Sequence, residues 1–459
     1  MKKYVFYILV PLLLIACKDQ SKKGAIYFGG EIINPKSNWV FLMKNEKIID
    51  SLSLSKEHTF GKSFTDLNPG LYYFKHGYEY QYLFLEPNDS IFIRLNTWDF
   101  DETLVFDGKG ADKNELLIKL FLANERETNN FFSYFSLDEI AFEEKIDDIL
   151  ARHNRMLDKL IESNQQLSEE FLHLIRGVIN YPIYRLKEIY PYYHNRSLNS
   201  DSIYVPSEGF YSFRGEMIDL NDAELSEYYG YQNYVNSYLY NIAFQENKSK
   251  KFDNNFRKIL LDKITEKIHL QDLKNRLLYQ EVNYMLFNES CKIDAENLSV
   301  FFENSTDSIA KTRVKQLLYD KKLLPNNCTF PGFDLVSISG DSTSINQLIN
   351  GKKSVVYFWS SDYSSNEYIG KRIYYLAKKY PELFFVGINI SEEAASKPYS
   401  IKKLDNQYTL TKNSKGKTLV SSQYPRAILI NADGKVVNNF TLLTNSRIEK
   451  QLQQLITQE

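Results

Sequence analysis

The sequence predicts a multidomain chain with three folded regions: an N-terminal all-β, sandwich-like region, an α-helical middle and a C-terminal α/β region. Short apolar runs separated by turn residues fill residues 25–110, a pattern typical of β-strands. Apolar side chains then recur every three to four positions over residues 111–325, which indicates helices. From residue 326 to 459, apolar strands alternate with amphipathic helices, which indicates a sheet covered by helices.

Composition excludes some broad classes of protein. The chain has 459 residues, of which 43% are hydrophobic and 25% charged, as in ordinary packed globular domains. Its formal net charge is -2, so no overall electrostatic field favours nucleic acid or an anionic membrane. There are 34 Tyr and 30 Phe against 3 Trp. Tyrosine stripes at helical spacing are expected to line a core rather than a ligand site.

Residues 1–17 have the layout of an export signal. Two lysines precede an apolar run that is too short to span a bilayer, and the segment ends in LIAC at Cys17. This ending resembles the bacterial lipobox, which implies cleavage before Cys17 and attachment of acyl chains, palmitate among them, to that cysteine. Residues 18–24 would be a linker. We therefore expect a lipid-anchored protein of the cell envelope, with the outer membrane favoured and the leaflet open.

The elements of the first two regions follow from local pattern. Runs such as NWVFLM, GLYYFKH and SIFIRL, with turns at NP, NPG and PND, favour an antiparallel sandwich or barrel. In the middle region LDEIAFEEKIDDILARHNRMLDKLIE is a helix with acidic residues leading and basic ones following. SEEFLHLIRGVINYPIYRLKEIY is a second helix, interrupted at Pro182, because proline cannot donate a helical hydrogen bond. DAELSEYYGYQNYVNSYLYNIAF is a third, with a Tyr-rich face.

The last region begins with the strand SVVYFW, followed by the helix NEYIGKRIYYLAKKY and the continuous apolar strand LFFVGINI. KKLDNQYTL is expected to be a helix or a loop. PRAILINADGKVVNNF predicts a hairpin that turns at Asp433-Gly434, and NSRIEKQLQQLI predicts a closing helix.

This region resembles the thioredoxin-like domain of extracytoplasmic TlpA-type thiol:disulfide reductases. FPGFDL, INQLINGKKSVVYFWSS, FFVGINI and YPRAILINADGKV match that family's segments in order. The preceding β and helical regions resemble those of the larger lipoprotein members. The resemblance implies a thioredoxin-like fold and makes Pro425 the cis-proline facing the active site. A trans proline at the start of an edge strand is the alternative.

The resemblance fails at the redox motif. Aligning Phe358-Trp359 with the family's Phe-Trp places Tyr363 and Asn366 where the nucleophilic and resolving cysteines belong. Disulfide exchange needs a thiolate and a second thiol, which a phenol and an amide do not supply. We therefore expect a degenerate site without redox activity. The groove implied by the resemblance comprises Trp359, Asp362, Tyr363, Tyr424 and Pro425.

Other chemistry has little support in the sequence. Besides Cys17 only Cys291 and Cys328 remain, and these can form one disulfide or stay inert thiols; a displaced catalytic pair is the alternative. Six scattered histidines lack metal-ligand spacing, and GKGADKNE lacks the Gly-Lys-Ser/Thr of a phosphate loop and follows a β region. We expect no metal and no cofactor.

The function expected from these patterns is therefore non-catalytic. A membrane-anchored, thioredoxin-like domain would bind an extended peptide or a protein partner, and nucleic acid is not an expected partner. One alternative is a thiol:disulfide oxidoreductase that uses Cys291 and Cys328. The other is a structural accessory of an outer-membrane complex.

Overall fold

The structure is a computed structural model that describes most of the chain: residues 24–163, 166–197, 204–247, 252–288, 294–360, 366–390, 404–411, 413–420 and 426–457. Two compact units divide it, Met1–Lys250 and Lys251–Glu459. Among its described residues, the first unit contains the β-rich region and five helices. The described part of the second contains four helices followed by the C-terminal α/β region. The predicted β, helical and α/β regions are confirmed.

Eight strands build the β-rich region: β1 (Ile26–Ile33), β2 (Trp39–Lys44), β3 (Lys47–Ser53), β4 (Thr59–Phe64), β5 (Gly70–His76), β6 (Glu79–Leu85), β7 (Ser90–Asn96) and β8 (Val105–Lys109). They form two four-stranded sheets, ordered β4-β1-β7-β8 and β3-β2-β5-β6. Phe28 of β1 meets Phe60 and Phe74, with ring centroids 5.3 and 5.9 Å apart, so the apolar core lies between the sheets.

One pairing in the β-rich region departs from the predicted antiparallel pattern. Strands β1 and β7 pair in parallel, with Tyr27 opposite Ser90 and Ile33 opposite Asn96. A parallel pair needs a long crossover connection. Here strands β2 to β6 supply that connection, since four of them form the second sheet.

Helix α1 (Ala111–Tyr134) closes an edge of this region. Strand β6 ends the second sheet, and an edge strand exposes backbone groups that invite unwanted pairing. The Asn114 amide of α1 accepts from the Phe84 backbone N–H at 2.7 Å and donates to the Phe84 carbonyl at 3.0 Å. Beside it, the buried ammonium of Lys113 pairs with Asp89 and Glu86. These contacts join the first helix to the sheets.

The other helices of the first unit are α2 (Glu139–Ser163), α3 (Glu169–Ser197), α4 (Phe213–Met217) and α5 (Tyr229–Asn247). The Tyr-rich face of α5 is core, as predicted: Tyr231 and Tyr234 are fully buried and pack edge-on against Tyr181 of α3. Helix α5 begins later than the predicted third helix, because residues 222–228 form turns before it.

The predicted interruption at Pro182 is wrong, because α3 runs unbroken through Pro182 and Pro191. A proline inside a helix costs about 3 kcal/mol, mainly through a lost hydrogen bond and a clash one turn back. Tyr181 and Ile183, on either side of Pro182, are buried against the neighbouring helices. Tertiary burial of this kind outweighs local propensity.

A carboxylate is fully buried where α3, α4 and α5 meet. Glu188 accepts from Arg214 Nε at 2.9 Å and from Arg214 Nη2 at 2.5 Å. It also accepts from the Tyr234 hydroxyl at 2.9 Å and from Asn241 Nδ2 at 2.7 Å. The Arg214 guanidinium lies 3.7 Å from the centre of the Tyr211 ring. Because both carboxylate oxygens are bonded, the charge is tolerated in the core.

A histidine is also buried among these helices. His153 of α2 is 2% exposed, and neither ring nitrogen has a hydrogen-bond partner among the described residues. Burial lowers the pKa of His153, and the nearby charges of Arg152 and Arg126 lower it further, against an opposing effect of Glu127. The neutral ring is therefore the form that the fold accommodates.

We predict that His153 makes the first unit sensitive to acid. An unfolded histidine has a pKa of about 6.5, above that of His153 in the folded state. As pH falls below about 6.5 the unfolded chain binds a proton that the folded chain resists, so stability falls by up to about 1.4 kcal/mol per pH unit. His153→Leu should flatten this loss between pH 6.5 and 5 in urea unfolding curves. His58→Asn, at an exposed turn with φ 60°, is the matched control for removing a histidine.

The second unit begins with α6 (Asn254–Lys267), α7 (Gln271–Asn288), α8 (Ala295–Asn304) and α9 (Ser308–Leu323). Asp253, Asp294 and Asp307 cap α6, α8 and α9 through their side-chain oxygens. The end of α9 is fixed to the sheet that follows, because Asn439 Nδ2 donates to the carbonyls of Lys321 and Leu324 at 2.9 and 2.7 Å.

The α/β region has a mixed seven-stranded sheet among the described residues, ordered β10-β9-β13-β12-β11-β14-β15. The strands are β9 (Asp334–Ser337), β10 (Ser342–Ser344), β11 (Ser354–Trp359), β12 (Phe384–Asn389), β13 (Gln407–Leu410), β14 (Arg426–Ile430) and β15 (Val436–Leu442). Helices α10 (Ile345–Ile349), α11 (Asn366–Lys379) and α12 (Ile448–Thr457) accompany it, with apolar cores on both faces of the sheet.

Two local predictions in this region have opposite outcomes. The predicted hairpin is confirmed: β14 and β15 are joined by a turn in which Gly434 has φ 73°, a conformation that favours glycine. The interpretation of KKLDNQYTL as helix or loop is wrong, since Gln407–Leu410 is a strand. The strand forms because its backbone pairs in parallel with β12. Its polar sequence carries no local signal of that pairing. None of the helices in the described ranges is long and apolar enough to cross a membrane.

Candidate functional site

The candidate site lies where β11 and β12 end. These strands pair in parallel with Trp359 opposite Asn389, so both carboxyl ends reach the same edge of the sheet. Ligands of open α/β sheets bind outside the carboxyl ends of the strands. All six residues of β11 are buried, because the strand is covered on both faces. This edge is also where the sequence places the turn that leads into α11.

Trp359 anchors this edge. Its ring is 1% exposed and packs in one cluster with Ile369 and Ile373 of α11. Its indole Nε1 has no hydrogen-bond partner among the described residues. Next to it, Ser360 and Asn389 are 2% and 5% exposed. The described part of the edge is therefore a largely dry surface with a few polar groups.

Strand β11 also carries a buried hydrogen bond, two residues before Trp359. The Tyr357 hydroxyl accepts from Gln407 Nε2 at 2.8 Å. Burial raises the pKa of Tyr357, so its phenol stays protonated. A neutral, hydrogen-bonded phenol positions β13 against β11 and offers no nucleophile.

Arg426 is a functional-site neighbour that the sequence analysis missed. It begins β14 directly after Pro425, is 1% exposed, and donates to the carbonyls of Leu419 and Asn439 at 2.5 and 3.0 Å. Its guanidinium also lies 4.8 Å from the centre of the Phe440 ring. The only signal in the sequence was a charge placed immediately before the apolar run AILI. Arg426 ties Leu419 to Asn439 of β15.

Several predicted site residues fall outside the described residues: Cys17, Cys291, Asp362, Tyr363, Tyr424 and Pro425. Asn366 is the first residue of α11, and its side chain lies outside the description too. Of the predicted groove residues, Trp359 thus lies within the described residues, and it is found at the sheet edge. The isomer of Pro425 and the pairing of Cys291 with Cys328 stay predictions.

Cys328 lies at the other end of the sheet. Its carbonyl accepts from Val436 N at 2.9 Å, Val436 pairs with Ile430, and Ile430 pairs with Ser354 at the beginning of β11. Trp359 is five residues further along β11, which corresponds to roughly 17 Å at about 3.3 Å per residue. Burial raises the pKa of the half-buried Cys328 thiol, although the Lys435 charge acts against this.

The described residues offer no place for a resident metal. Among them, no cluster of three or more His, Cys, Asp or Glu side chains has an arrangement that could hold a metal ion.

Comparison with known proteins gives matches among solved structures alone. No family model and no curated protein matches the chain. The thioredoxin domain of a thiol-disulfide oxidoreductase from Bacteroides vulgatus is 21% identical, with 28% of this chain and 99% of that chain covered and a TM-score of 0.22. A thiol:disulfide interchange protein from Bacteroides sp. is 23% identical over 25% and 80% of the two chains, with a TM-score of 0.21. A thioredoxin-like protein from Porphyromonas gingivalis is 17% identical over 28% and 91%, with a TM-score of 0.23.

The C-terminal part of this multidomain chain is a mixed seven-stranded sheet with apolar cores on both faces among the described residues. Its solved neighbours are thioredoxin-like thiol-disulfide oxidoreductases, and they cover less than a third of the chain. At these identities and TM-scores the likeness says nothing of activity.

Proposed function

We propose that this chain is an exported lipoprotein, anchored in the cell envelope through Cys17, whose thioredoxin-like domain binds an extended peptide or protein segment without exchanging disulfides. One observation carries the redox part. No cysteine occurs in the sequence between Trp359 and the start of α11, and Cys328 lies at the opposite end of the sheet.

The chemistry of the remaining thiols supports this proposal. Thiol-disulfide exchange proceeds from a thiolate, and a second thiol releases the mixed disulfide. Burial disfavours the Cys328 thiolate. A mixed disulfide formed at Cys328 would also lie roughly 17 Å along the strand direction from the edge where α11 begins. The dipole of α11 could lower the pKa of a thiol just ahead of its first turn, but the sequence has Tyr363 there and no cysteine.

The binding part rests on the geometry of the fold. In the fold that the resemblance implies, an extended chain pairs with backbone groups beside the carboxyl end of β11, and such pairing supplies affinity without covalent chemistry. The buried contacts of Trp359 and Arg426 hold both sides of this edge in place. Pre-organisation of this kind improves affinity because less freedom is lost on binding.

The anchoring part rests on residues 1–17. Two lysines, a short apolar run and a terminal cysteine are the pattern from which a lipidated cysteine follows. Each buried methylene of an acyl chain contributes about 0.8 kcal/mol to membrane attachment, so two or more chains hold a protein stably.

An insulin-reduction assay with dithiothreitol tests the redox part. We expect the purified chain to leave the rate at that of dithiothreitol alone, and Cys328→Ser to change nothing. A rate clearly above that background that disappears in Cys328→Ser would establish the oxidoreductase alternative and overturn the proposal.

Tryptophan fluorescence tests the binding part. Trp39 and Trp98 are 46% and 71% exposed, so Trp39→Phe with Trp98→Phe should leave the fold intact and make Trp359 the sole reporter. We expect a library of unstructured peptides to contain members that shift the Trp359 emission and lose this effect in Tyr363→Ala. The matched control is Tyr374→Ala, at an exposed site on α11. Binding that survives Tyr363→Ala, or no emission shift with any peptide, would contradict a groove at this edge.

A further inference from the structure

Two rows of side chains cross one face of the α/β sheet just below the candidate site. Tyr357 of β11 lies opposite Gly387 of β12, which in turn lies opposite Gln407 of β13. One step nearer the edge, Trp359 lies opposite Asn389. Residues opposite each other in a sheet share a face, and so do residues two apart on one strand. Tyr357, Gln407 and Trp359 therefore project from the same face, which packs against α11.

Gly387 lets the two outer side chains of the first row meet above β12. A Cβ at this position would come within 2.3 Å of Gln407 Oε1 and 2.5 Å of Tyr357 Oη. With glycine there, Gln407 Nε2 reaches Tyr357 Oη at 2.8 Å. The sequence thus has no side chain at the point where this polar pair crosses the middle strand.

Each of the three polar side chains keeps one hydrogen-bonding group without a partner. Gln407 Nε2 also donates to the Asp405 carbonyl at 3.1 Å, which leaves Oε1 at the other end of the amide. Among the described residues, that oxygen has no donor and Trp359 Nε1 has no acceptor. The Tyr357 hydroxyl accepts from Gln407, but its own hydrogen has no acceptor within the same ranges. Gln407, Trp359 and Tyr357 are 5%, 1% and 0% exposed, so bulk solvent does not satisfy them.

We propose that these three side chains form a buried binding site for one water molecule. Gln407 Oε1 belongs to the same amide as Nε2, so it lies within about 5 Å of Tyr357 Oη. One water bridges such a gap, because each of its two hydrogen bonds spans about 2.8 Å. The water accepts from the Tyr357 hydroxyl and from Trp359 Nε1, and it donates to Gln407 Oε1. About three hydrogen bonds are usual for a buried water.

A small neutral ligand fits this group better than an ion does. The three side chains carry no charge, and burial raises the pKa of Tyr357, so its phenol stays protonated. An ion would lie in a dry core without a counter-charge, which is strongly unfavourable. A dry site is also unfavourable, because leaving buried donors and an acceptor unpaired costs more than immobilising one water.

The water links the edge of the sheet to its interior. It joins Trp359, at the carboxyl end of β11, to Gln407 of β13, although these strands do not pair with each other. The indole of Trp359 is thereby held in one orientation at the candidate site. The water is expected whether or not the chain binds a peptide or carries a lipid.

Overhauser transfer between water and the indole hydrogen tests the proposal by nuclear magnetic resonance. The full chain with Trp39→Phe and Trp98→Phe, labelled with isotopic tryptophan, has a single indole signal, that of Trp359. We expect a cross-peak between water and the Nε1 hydrogen, with the sign of direct contact and not of chemical exchange. A folded chain that gives no such cross-peak would show that the site is dry.

Two pairs of variants in this background identify what the indole contacts. Gln407→Leu removes the acceptor but no exchanging hydroxyl, so the cross-peak should fall several-fold. Gln347→Leu, at an exposed site on α10, is its matched control and should leave the intensity unchanged. Tyr357→Phe should weaken the cross-peak, whereas Tyr408→Phe, on the opposite face of the sheet, should not. A cross-peak that persists in Gln407→Leu and disappears in Tyr357→Phe would come from the tyrosine hydroxyl and would refute the proposal.

A high-resolution crystal structure of the unmodified chain gives a test that does not depend on any variant folding. We expect an oxygen atom at about 2.7–3.2 Å from Tyr357 Oη, Gln407 Oε1 and Trp359 Nε1. A direct hydrogen bond between Trp359 and Gln407, or no density between the three atoms, would contradict a bound water.

Discussion

Replacing Arg214 with methionine should lower the free energy of unfolding of the N-terminal unit by about 3–5 kcal/mol, which is the usual cost of leaving a buried charge without its partner. Glu188 has a fully buried side chain, and Arg214 supplies two of its four hydrogen bonds. Tyr234 and Asn241 would still donate, but neither carries a charge. Urea unfolding followed by far-ultraviolet circular dichroism measures the effect.

Two further variants identify the cause. Lys62→Met removes a cation from an ion pair whose side chains are 52% and 26% exposed, and should cost no more than about 1 kcal/mol. Arg214→Met combined with Glu188→Leu removes both charges and should recover most of the lost stability, since apolar replacements of a buried pair are often neutral. If Arg214→Met costs no more than Lys62→Met, the carboxylate is not isolated in the way its burial indicates.

The parts of the fold that the sequence predicts are those decided by local pattern. SVVYFW and LFFVGINI are continuous apolar runs, and both are strands buried within the sheet. Helix α2 follows from apolar spacing alone. Pro182 and Gln407 were misread, because what determines their conformation is packing against α5 and pairing with β12, which are distant in sequence.

In the candidate site, too, local sequence pattern predicts some features, and contacts between distant residues decide the others. Trp359 at the end of a buried strand was predictable, since an apolar run followed by a polar turn marks where a strand leaves the sheet. The role of Arg426 was not, because its acceptors are carbonyls that only the fold brings together. The pairing of Glu188 with Arg214, 26 residues apart, was hidden for the same reason. Nor does sequence give the separation of Cys328 from Trp359, which follows from the register of β11, β14 and β15.

Introducing two cysteines should give this edge of the sheet the disulfide chemistry that the family resemblance implies. Tyr363→Cys with Asn366→Cys places thiols at the spacing and register that the resemblance assigns to the redox pair. Asn366 begins α11, and a helix N-terminus favours a thiolate just ahead of it. Lowering a thiol pKa from about 8.5 to about 7 raises its thiolate fraction at pH 7 roughly 16-fold, and the lower intrinsic nucleophilicity of that thiolate offsets part of the gain. We therefore expect the thiol introduced by Tyr363→Cys to react about tenfold faster with a disulfide reagent than Cys328 does.

Turnover of insulin needs both thiols, which makes the comparison among variants decisive. Tyr363→Cys alone should form a mixed disulfide and stop, because no second thiol releases it. Ser364→Cys with Glu367→Cys keeps the same spacing but shifts it by one residue, so it should show no turnover. Equal turnover in the shifted pair would mean that any two close thiols suffice and that the register is wrong. Turnover that is seen in Tyr363→Cys with Asn366→Cys, and in neither of the other two variants, would mean that two thiols at these positions are what the chain lacks. Both paired variants have the same spacing between their cysteines.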